Sequence, residues 1–459
     1  MLSKVLFGFF FILSSLIFSQ TNFHHTYGEV GRDIAYSTCE TAENGIIILG
    51  STTSFGNGKD LYLIKLDKDG NIVWSRTYGG TKVDAGIKIK HTSDGNFIII
   101  GNSTSFDAKR RDVYLLKINE NGDVLWSHAY GGELNEFGLD VIESPLGGYI
   151  LVGETNSFDV KDHDIYIEKV GPLGEKEWTR TIGGDSLEFA SSIIAVSDGY
   201  ILGGETNSLG AGGYDALMIK IDFTGEVLWS KVYGGPKDDH LNELIEDDFG
   251  HVAFMGSTSS YGYGGRDMLF VLANVTNGDA VKVKSLGYIG DEEPQAIRKV
   301  GDDGYIIVGF SNSFNDQLTQ QDAYIVRMNK RFKMKWSKTF GGYLNDMGFG
   351  LVTHSGGNFV VVGETTSYSD IDDKDIFAMS IPDSRKIMTC ELTNVQTVRI
   401  PLHKYLKVDN VFFEETKVES HQINATTLLS EVQTRALVIC EKDKLLIDSN
   451  TLEEPLKSE

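Results

Sequence analysis

The chain has few cysteines, few prolines and no run of basic residues. Its three cysteines, Cys39, Cys390 and Cys440, allow one disulfide at most and fit no metal-binding spacing. The formal net charge is −23 without clustered lysine or arginine, which argues against nucleic acid or anionic lipid as a partner. Seven prolines against 51 glycines indicate many tight turns, and 41% hydrophobic residues suffice for a large core.

Only one long hydrophobic run is present, at residues 5–18 near the start of the chain. It is short for a membrane span and is followed by small and polar residues, so we expect residues 1–19 to be a secretory signal peptide. The first cysteine is Cys39, which does not indicate a lipid-anchored N-terminus. We therefore expect an exported protein, secreted, periplasmic or at the cell surface, without a transmembrane span after processing.

All five tryptophans stand in one repeated phrase, first seen as "WSRTYGG" from Trp74. A second marker agrees, because an aspartate opens a strand-like phrase such as "DLYLIKLD" in each copy. Together the two markers define seven copies of about 52 residues, with Val281 at one tryptophan position. The tryptophans are Trp74, Trp126, Trp178, Trp229 and Trp336, and the aspartates are Asp60, Asp112, Asp164, Asp215, Asp267, Asp322 and Asp375.

Each copy contains four strand candidates with alternating β-branched or aromatic residues, separated by Asp-Gly and Asn-Gly turn signals. Four antiparallel strands repeated seven times predict an all-β fold, a seven-bladed β-propeller of four-stranded blades over residues 20–383. We expect each tryptophan on the fourth, outer strand, packed in the seam between two blades. The Gly-Gly pair that follows is expected to allow a sharp turn inward. We also expect a monomer.

The phrases "WSRTYGG" and "DLYLIKLD" resemble the repeats of secreted bacterial and archaeal surface β-propellers. The phrase "IDFTGEVLW", residues 221–229, is similar to the tryptophan-docking repeat of quinoprotein-type propellers. The resemblance covers about residues 23–382 and implies the propeller fold. It implies little about function, because this fold carries many different roles.

The two ends of the repeat region predict how the ring closes. Residues Phe23–Gly28 match the outer-strand phrase, with Phe23 in the place of tryptophan, while the seventh copy lacks that phrase. We therefore expect residues 23–28 to complete the seventh blade. No glycine follows Gly363, so the composition changes, and residues 384–459 are expected to form a small β or mixed appendage.

An acid stands four residues after each Gly-Gly or its equivalent and opens the innermost strand. One interpretation is a ring of metal ligands near the central opening, for which Ca²⁺ is the natural cation, and no other cofactor is indicated. The alternative is that each carboxylate accepts N–H groups of its own turn. These acids are Asp33, Asp84, Glu136, Glu188, Asp239, Asp346 and, after a shift of one residue, Glu293.

Positions that break the sevenfold symmetry are better candidates for a ligand site than positions that keep it. After the second strand, three copies carry a glutamate where the others do not: Glu154, Glu205 and Glu364. With Tyr261 and Tyr263 of a neighbouring loop, these residues could bind a sugar or a peptide strand. Ordinary loop variation is the other interpretation.

No grouping of nucleophile, base and orienting acid recurs, and the ten histidines are scattered. The sequence therefore favours an exported non-enzymatic propeller that binds a protein or a glycan. The alternative is a polysaccharide lyase or glycoside hydrolase built on carboxylates near the propeller axis, because such residues come from distant blades and leave no local motif.

Overall fold

The computed structural model describes residues 23–383, apart from 57, 248–249, 315–319, 355–356 and 370–372, and the backbones of short strands between 392 and 438. The predicted signal peptide, Cys390 and Cys440 lie outside the described residues. Cys39 is a free thiol. Among the described residues, no helix is long and apolar enough to cross a membrane.

Twenty-eight strands form seven antiparallel sheets, and one 3-10 turn at Gly301–Asp303 is also present. In each blade the strands are given from the innermost to the fourth. Blade 1 has Asp33–Glu40, Ile46–Thr52, Asp60–Leu66 and Ile72–Gly79; blade 2 has Asp84–His91, Phe97–Ser103, Asp112–Ile118 and Val124–Gly131; blade 3 has Glu136–Glu143, Tyr149–Thr155, Asp164–Val170 and Lys176–Ile182; blade 4 has Glu188–Val196, Gly199–Thr206, Asp215–Ile221 and Val227–Gly234; blade 5 has Glu243–Glu246, His251–Thr258, Asp267–Asn274 and Ala280–Gly287; blade 6 has Glu292–Lys299, Tyr305–Ser311, Asp322–Met328 and Met334–Phe340; blade 7 has Asp346–Thr353, Asn358–Thr365, Asp375–Pro382 and His24–Gly28.

The first strands of neighbouring blades contact one another around the whole circle, and blade 7 contacts blade 1. The predicted seven-bladed all-β propeller is therefore confirmed. Its second and third strands, such as Ile46–Thr52 and Asp60–Leu66, are buried along their full length. This is the pattern of strands that are covered on both faces, because each blade packs between two others.

The fourth strand of blade 7 comes from the start of the described chain. His24–Gly28 pairs antiparallel with Asp375–Pro382, so the ring closes as the repeated phrase predicts. Phe23 is 5% exposed and packs with residues of blade 1 such as Ile64. The closing strand thus joins the first blade to the last by backbone pairing and by apolar contact.

The tryptophans lie where two blades meet. Four of the five pack against the glycine of the turn that precedes the fourth strand in the next blade, and a Cβ on Gly174 would lie 3.1 Å from Trp126. The same glycine has positive φ, so both space and backbone conformation require it. Gly122, Gly174, Gly225 and Gly278 contact Trp74, Trp126, Trp178 and Trp229 in this way, and Gly70 contacts Phe23.

Trp336 has no such glycine and instead donates its indole N–H to Asp383, at 3.2 Å. It is 7% exposed, whereas Trp126 is about half-buried. We expect Trp336→Ala to lower the free energy of unfolding by about 3–5 kcal/mol, the usual range for emptying a buried aromatic site. Chemical denaturation measures this, with Leu125→Ala, at an exposed position, as the control. Equal midpoints for the two variants would contradict the seam packing.

Seven further strands, which we call the belt, come from the segment after residue 383. Each pairs antiparallel with the fourth strand of one blade, and the belt runs backwards around the ring. Leu392–Asn394 pairs with blade 6, Val398–Pro401 with blade 5, Lys407–Asn410 with blade 4, Glu415–Val418 with blade 3, His421–Asn424 with blade 2, Leu428–Glu431 with blade 1 and Arg435–Val438 with blade 7.

Residues 384–459 were expected to form a small β or mixed appendage, and the described belt strands of this region extend the sheets of the blades. Successive belt strands begin six to nine residues apart. An extended chain covers roughly 3.3 Å per residue, so each step reaches from one blade edge to the next. The physical reason for the belt is the open edge of each fourth strand, whose N–H and C=O groups would otherwise lack protein partners.

Truncation after Asp383 tests the belt. Because it exposes the edges of all seven blades, we expect self-association and faster hydrogen exchange at the fourth-strand amides, while the inner strands keep their protection. Light scattering and exchange mass spectrometry measure these changes, with truncation after Val438 as the control. A monomer with unchanged exchange after the first truncation would show that the belt does not pair with the blades.

Candidate functional site

Each junction between blades contains a buried acid that opens the first strand of the next blade. Asp84, for example, accepts the N–H of Gly80 at 2.7 Å and the hydroxyl of Ser105 at 2.8 Å. All seven such acids are 0% exposed and accept a backbone N–H four residues earlier. We call them the junction acids: Asp33, Asp84, Glu136, Glu188, Asp239, Glu292 and Asp346.

The sixth junction acid is Glu292, not Glu293, which corrects the sequence alignment. Tyr288 replaces the second glycine without an insertion, so its N–H reaches Glu292 at 2.8 Å and no shift of one residue occurs. Glu293 forms an ion pair with Arg266 instead. Since the junction acids bind turn groups, the structure favours their structural interpretation. Among the described residues, no group of three or more His, Cys, Asp or Glu could hold a metal ion.

The aspartate that opens each third strand faces a junction acid across the first glycine of the Gly-Gly pair. A Cβ on Gly131 would lie 2.5 Å from Asp112 Oδ1 and 2.5 Å from Glu136 Oε2. The glycine is therefore required for space, whereas the sequence had suggested a sharp turn. The same arrangement recurs at Gly28, Gly79, Gly234 and Gly287.

Paired buried carboxylates repel each other, and this changes their protonation. Burial and the nearby charge of Asp346 raise the pKa of Asp322 to about 7. Burial and the charge of Glu188 raise the pKa of Asp164 to about 6. Both groups therefore hold a proton in the folded protein at a pH at which the unfolded chain has lost it.

The contribution of Asp322 and Asp164 to stability should consequently fall as the pH rises from about 4 towards 7, because these two groups hold more protons in the folded chain than in the unfolded chain over this window. Asp322→Asn keeps a neutral side chain at every pH, so its loss of stability between about pH 5 and pH 8 should be smaller than that of the native protein. Urea denaturation at both pH values measures this, with the exposed Asp302→Asn as the control. Identical pH dependence in the native protein and Asp322→Asn would refute the assignment.

A cavity of about 470 Å³ lies at the axis, where the first strands converge. One residue from each blade lines it, at the third position after the junction acid. Phe189 and Glu205 of blade 4 also line it, and Glu205 is one of the glutamates singled out from the sequence. We call it the channel cavity; the seven residues are Tyr36, Ile87, Leu139, Ser191, Asn242, Gln295 and Phe349.

A network of charges also borders the channel cavity. Glu243 accepts hydrogen bonds from Arg298 at 2.9 Å and from the N–H of Ile297 at 2.8 Å, and Lys88 lies 3.5 Å away. Burial alone would raise the pKa of Glu243, but the charges of Arg298 and Lys88 lower it to about 2. Glu243 therefore remains ionised at any physiological pH.

Blade 5 departs from the symmetry of the ring beside the cavity. Its first strand begins at Glu243, although the junction acid is Asp239. In the intervening residues, the Nε2 atom of His240 and the amide oxygen of Asn242 are buried without a hydrogen-bond partner in the part of the chain that the structure describes. Unpaired polar atoms of this kind are uncommon in folded proteins and indicate a place for water or a ligand.

His240 connects blade 5 to blade 4. Its Nδ1 lies 2.8 Å from Glu205, and its ring stacks with Tyr214 at a centroid distance of 6.2 Å. Burial would lower the pKa of His240, but the hydrogen bond and charge of Glu205 raise it. The pair therefore favours a protonated imidazole of His240 beside a carboxylate that lines the cavity.

The residue immediately before each third-strand aspartate lies at the end of the propeller that also holds the junction acids. Most of these residues contact the first or second strand there, as Arg111 does over the Phe137 ring at 4.6 Å and His163 does at 3.8 Å from Glu154. Sequence reasoning missed these residues. The signal that could have found them is that they directly precede an aspartate present in every copy, while their own identity differs from copy to copy. We call them the mouth residues: Lys59, Arg111, His163, Tyr214, Arg266, Gln321 and Lys374.

The mouth residues change the electrostatic expectation for this end of the propeller. Sequence reasoning placed a ring of acids near the central opening, but these acids are buried in the junctions. Four of the seven half-buried mouth residues are basic, and the glutamates Glu154, Glu293 and Glu364 each have a cationic or histidine partner. Glu364, for example, is paired with Lys374.

The other residues suggested for ligand binding lie away from the channel cavity. Glu154 and Glu364 are at the same end as Glu205 but do not line the cavity. The hydroxyl of Tyr261 donates to the carbonyl of Gly234 at 3.0 Å, which gives this residue a role in the blade. Tyr263 is 61% exposed and stacks with Tyr288, at a centroid distance of 6.4 Å.

No protein-family model matches the chain, and no curated protein matches it. Three solved structures with which it shares similarity are a phage phi92 endosialidase, a putative exo-beta-1,3-galactanase from Bifidobacterium bifidum s17 and a GH43_12 protein retrieved from a capybara gut metagenome. The endosialidase is 9% identical over 80% of this chain and 70% of its own, with a TM-score of 0.41.

The galactanase is 12% identical over 53% of this chain and 89% of its own, with a TM-score of 0.29. The GH43_12 protein is 10% identical over 88% of this chain and 94% of its own, with a TM-score of 0.28. At these identities and TM-scores, the similarities carry no argument about function.

Proposed function

We propose that the protein is an exported, non-enzymatic propeller that binds a carbohydrate in the channel cavity. The observation that carries this proposal is the unpaired amide oxygen of Asn242 in the lining of a cavity of about 470 Å³. Pockets for small ligands are of this size and combine apolar walls with a few fixed polar groups.

The chemistry of the lining suits a sugar. The rings of Tyr36, Phe189 and Phe349 offer apolar faces of the kind against which the C–H groups of a pyranose pack. Asn242 and Gln295 offer amide donors and acceptors for hydroxyl groups. A sugar hydroxyl that donates to the Asn242 oxygen would satisfy an atom that has no hydrogen-bond partner among the described residues.

Binding is favoured over catalysis because of the state of the carboxylates at the cavity. Glycoside hydrolysis usually needs one protonated and one ionised carboxyl group on either side of the bond. Glu243 is held ionised by Arg298 and Lys88, so it is a poor general acid. Glu205 is engaged with His240 at 2.8 Å.

That pairing also supports the second candidate function, a polysaccharide lyase or glycoside hydrolase. His240 with a raised pKa could donate a proton, and Glu205 holds it at the cavity entrance. A screen for turnover of polysaccharides and glycosides distinguishes the two candidates. Turnover that is abolished by Glu205→Gln would establish the enzymatic candidate and refute ours.

The binding proposal is tested on a glycan array followed by calorimetry with the best saccharide. We expect Asn242→Ala to weaken binding by about tenfold, roughly the loss of one good hydrogen bond in a buried site, without lowering the denaturation midpoint. Asn121→Ala, the same change in an exposed turn, is the matched control. The proposal fails if no saccharide binds, or if the two variants bind equally well.

A further inference from the structure

The cations among the mouth residues differ in whether they form ion pairs. On blades 5 and 7, the mouth residues Arg266 and Lys374 form ion pairs with Glu293 and Glu364. On blades 1 and 2, Lys59 and Arg111 have no carboxylate at ion-pair distance among the described residues. Neither Lys59 nor Arg111 is therefore held in an ion pair by the described residues.

Lys59 and Arg111 lie over aromatic rings instead. The Lys59 ammonium is 5.7 Å from the centre of the Tyr36 ring and 3.4 Å from its hydroxyl. The Arg111 guanidinium is 4.6 Å from the centre of the Phe137 ring. Aromatic faces attract a cation but leave its N–H donors available, so both groups keep the capacity to bind an anion.

The charges deeper in the channel are balanced. Lys88 and Lys90 of blade 2 and Arg298 of blade 6 are arranged around two carboxylates, those of Asp140 and Glu243. Glu205, which also lines the cavity, brings the number of anions to that of the cations. The cations without an ion-pair partner are therefore those of the mouth, Lys59 and Arg111.

Lys59 and Arg111 belong to a chain with a formal net charge of −23. Such a protein repels anions at a distance, so two cations at the mouth can bind only an anionic ligand that also makes close contacts. Tyr36 connects the mouth cations to the channel cavity, because it lines the cavity and also contacts Lys59. An acidic group at Lys59 and a sugar ring in the cavity would be neighbours.

We propose that the ligand is an anionic saccharide, whose acidic group is bound by Lys59 and Arg111 while its ring occupies the channel cavity. This inference rests on the proposed carbohydrate binding and specifies its substrate class. Arginine and lysine both suit a carboxylate or a sulfate, which share charge and acceptor geometry, and the experiment distinguishes these two sources.

The test compares matched charged and neutral saccharides by calorimetry at low and at moderate salt. The pairs are oligogalacturonate with its methyl ester, sialyllactose with lactose, and a sulfated carrageenan oligosaccharide with its desulfated form. We expect the charged member of at least one pair to bind about tenfold more tightly at low salt, and the difference to shrink as salt increases. The pair that responds identifies carboxylate or sulfate.

Variants assign the effect to the two cations. Lys59→Met and Arg111→Met keep the apolar packing on Tyr36 and Phe137 but remove the charge, so each should reduce affinity for the charged saccharide about tenfold. Affinity for its neutral partner should not change. Lys68→Met, at an exposed turn where the lysine contacts Asp69, is the control.

The outcomes separate the two proposals. Equal binding of charged and neutral members overturns the anionic inference while carbohydrate binding stands. Preference for the charged member that survives in both Met variants also overturns it. If no saccharide of any pair or of the array binds, the proposed function fails and the inference fails with it.

Discussion

The buried carboxylate at each blade junction is the interaction on which the rest of the structure depends. It accepts the N–H of the turn that enters the blade and the hydroxyls of the neighbouring second strand, as Glu136 does with Gly132 and Thr155. The turn is thereby fixed to the next blade, and the angle between blades is fixed with it. The positions of the mouth residues depend on the same buried carboxylates, because each mouth residue directly precedes the aspartate that faces a junction acid.

Much of the fold could be predicted from the sequence, because the pattern of one blade is repeated seven times along the chain. The recurrence of Trp74 and its equivalents gave the blade number and the seam, and Phe23 gave the closing strand. The role of the Gly-Gly pair could not be predicted, because it depends on two carboxylates that come from different parts of the chain. The belt could not be predicted either, since its strands are short and their partners lie far away in sequence.

The candidate site was only partly predictable, for a related reason. Glu205 was found because it breaks the repeat, and the structure places it at the channel cavity. Asn242 was missed because nothing in the sequence shows that the first strand of blade 5 begins late or that an amide oxygen is left unpaired. Lys59 and Arg111 were missed because a basic residue in a loop has no signature until its neighbours in the fold are known.

The belt has a consequence for the order in which the protein can fold. Each blade has its four strands close together in sequence, blade 7 excepted, so its hydrophobic layers can form as the chain is made. The outer edges must wait for residues 392–438, which are synthesised after all of the repeats. The last belt strand, Arg435–Val438, pairs with His24–Gly28, one of the earliest segments of the chain. Until the belt has paired, one molecule has seven unpaired strand edges. A chain whose synthesis stops before the belt would leave all seven edges exposed to solvent.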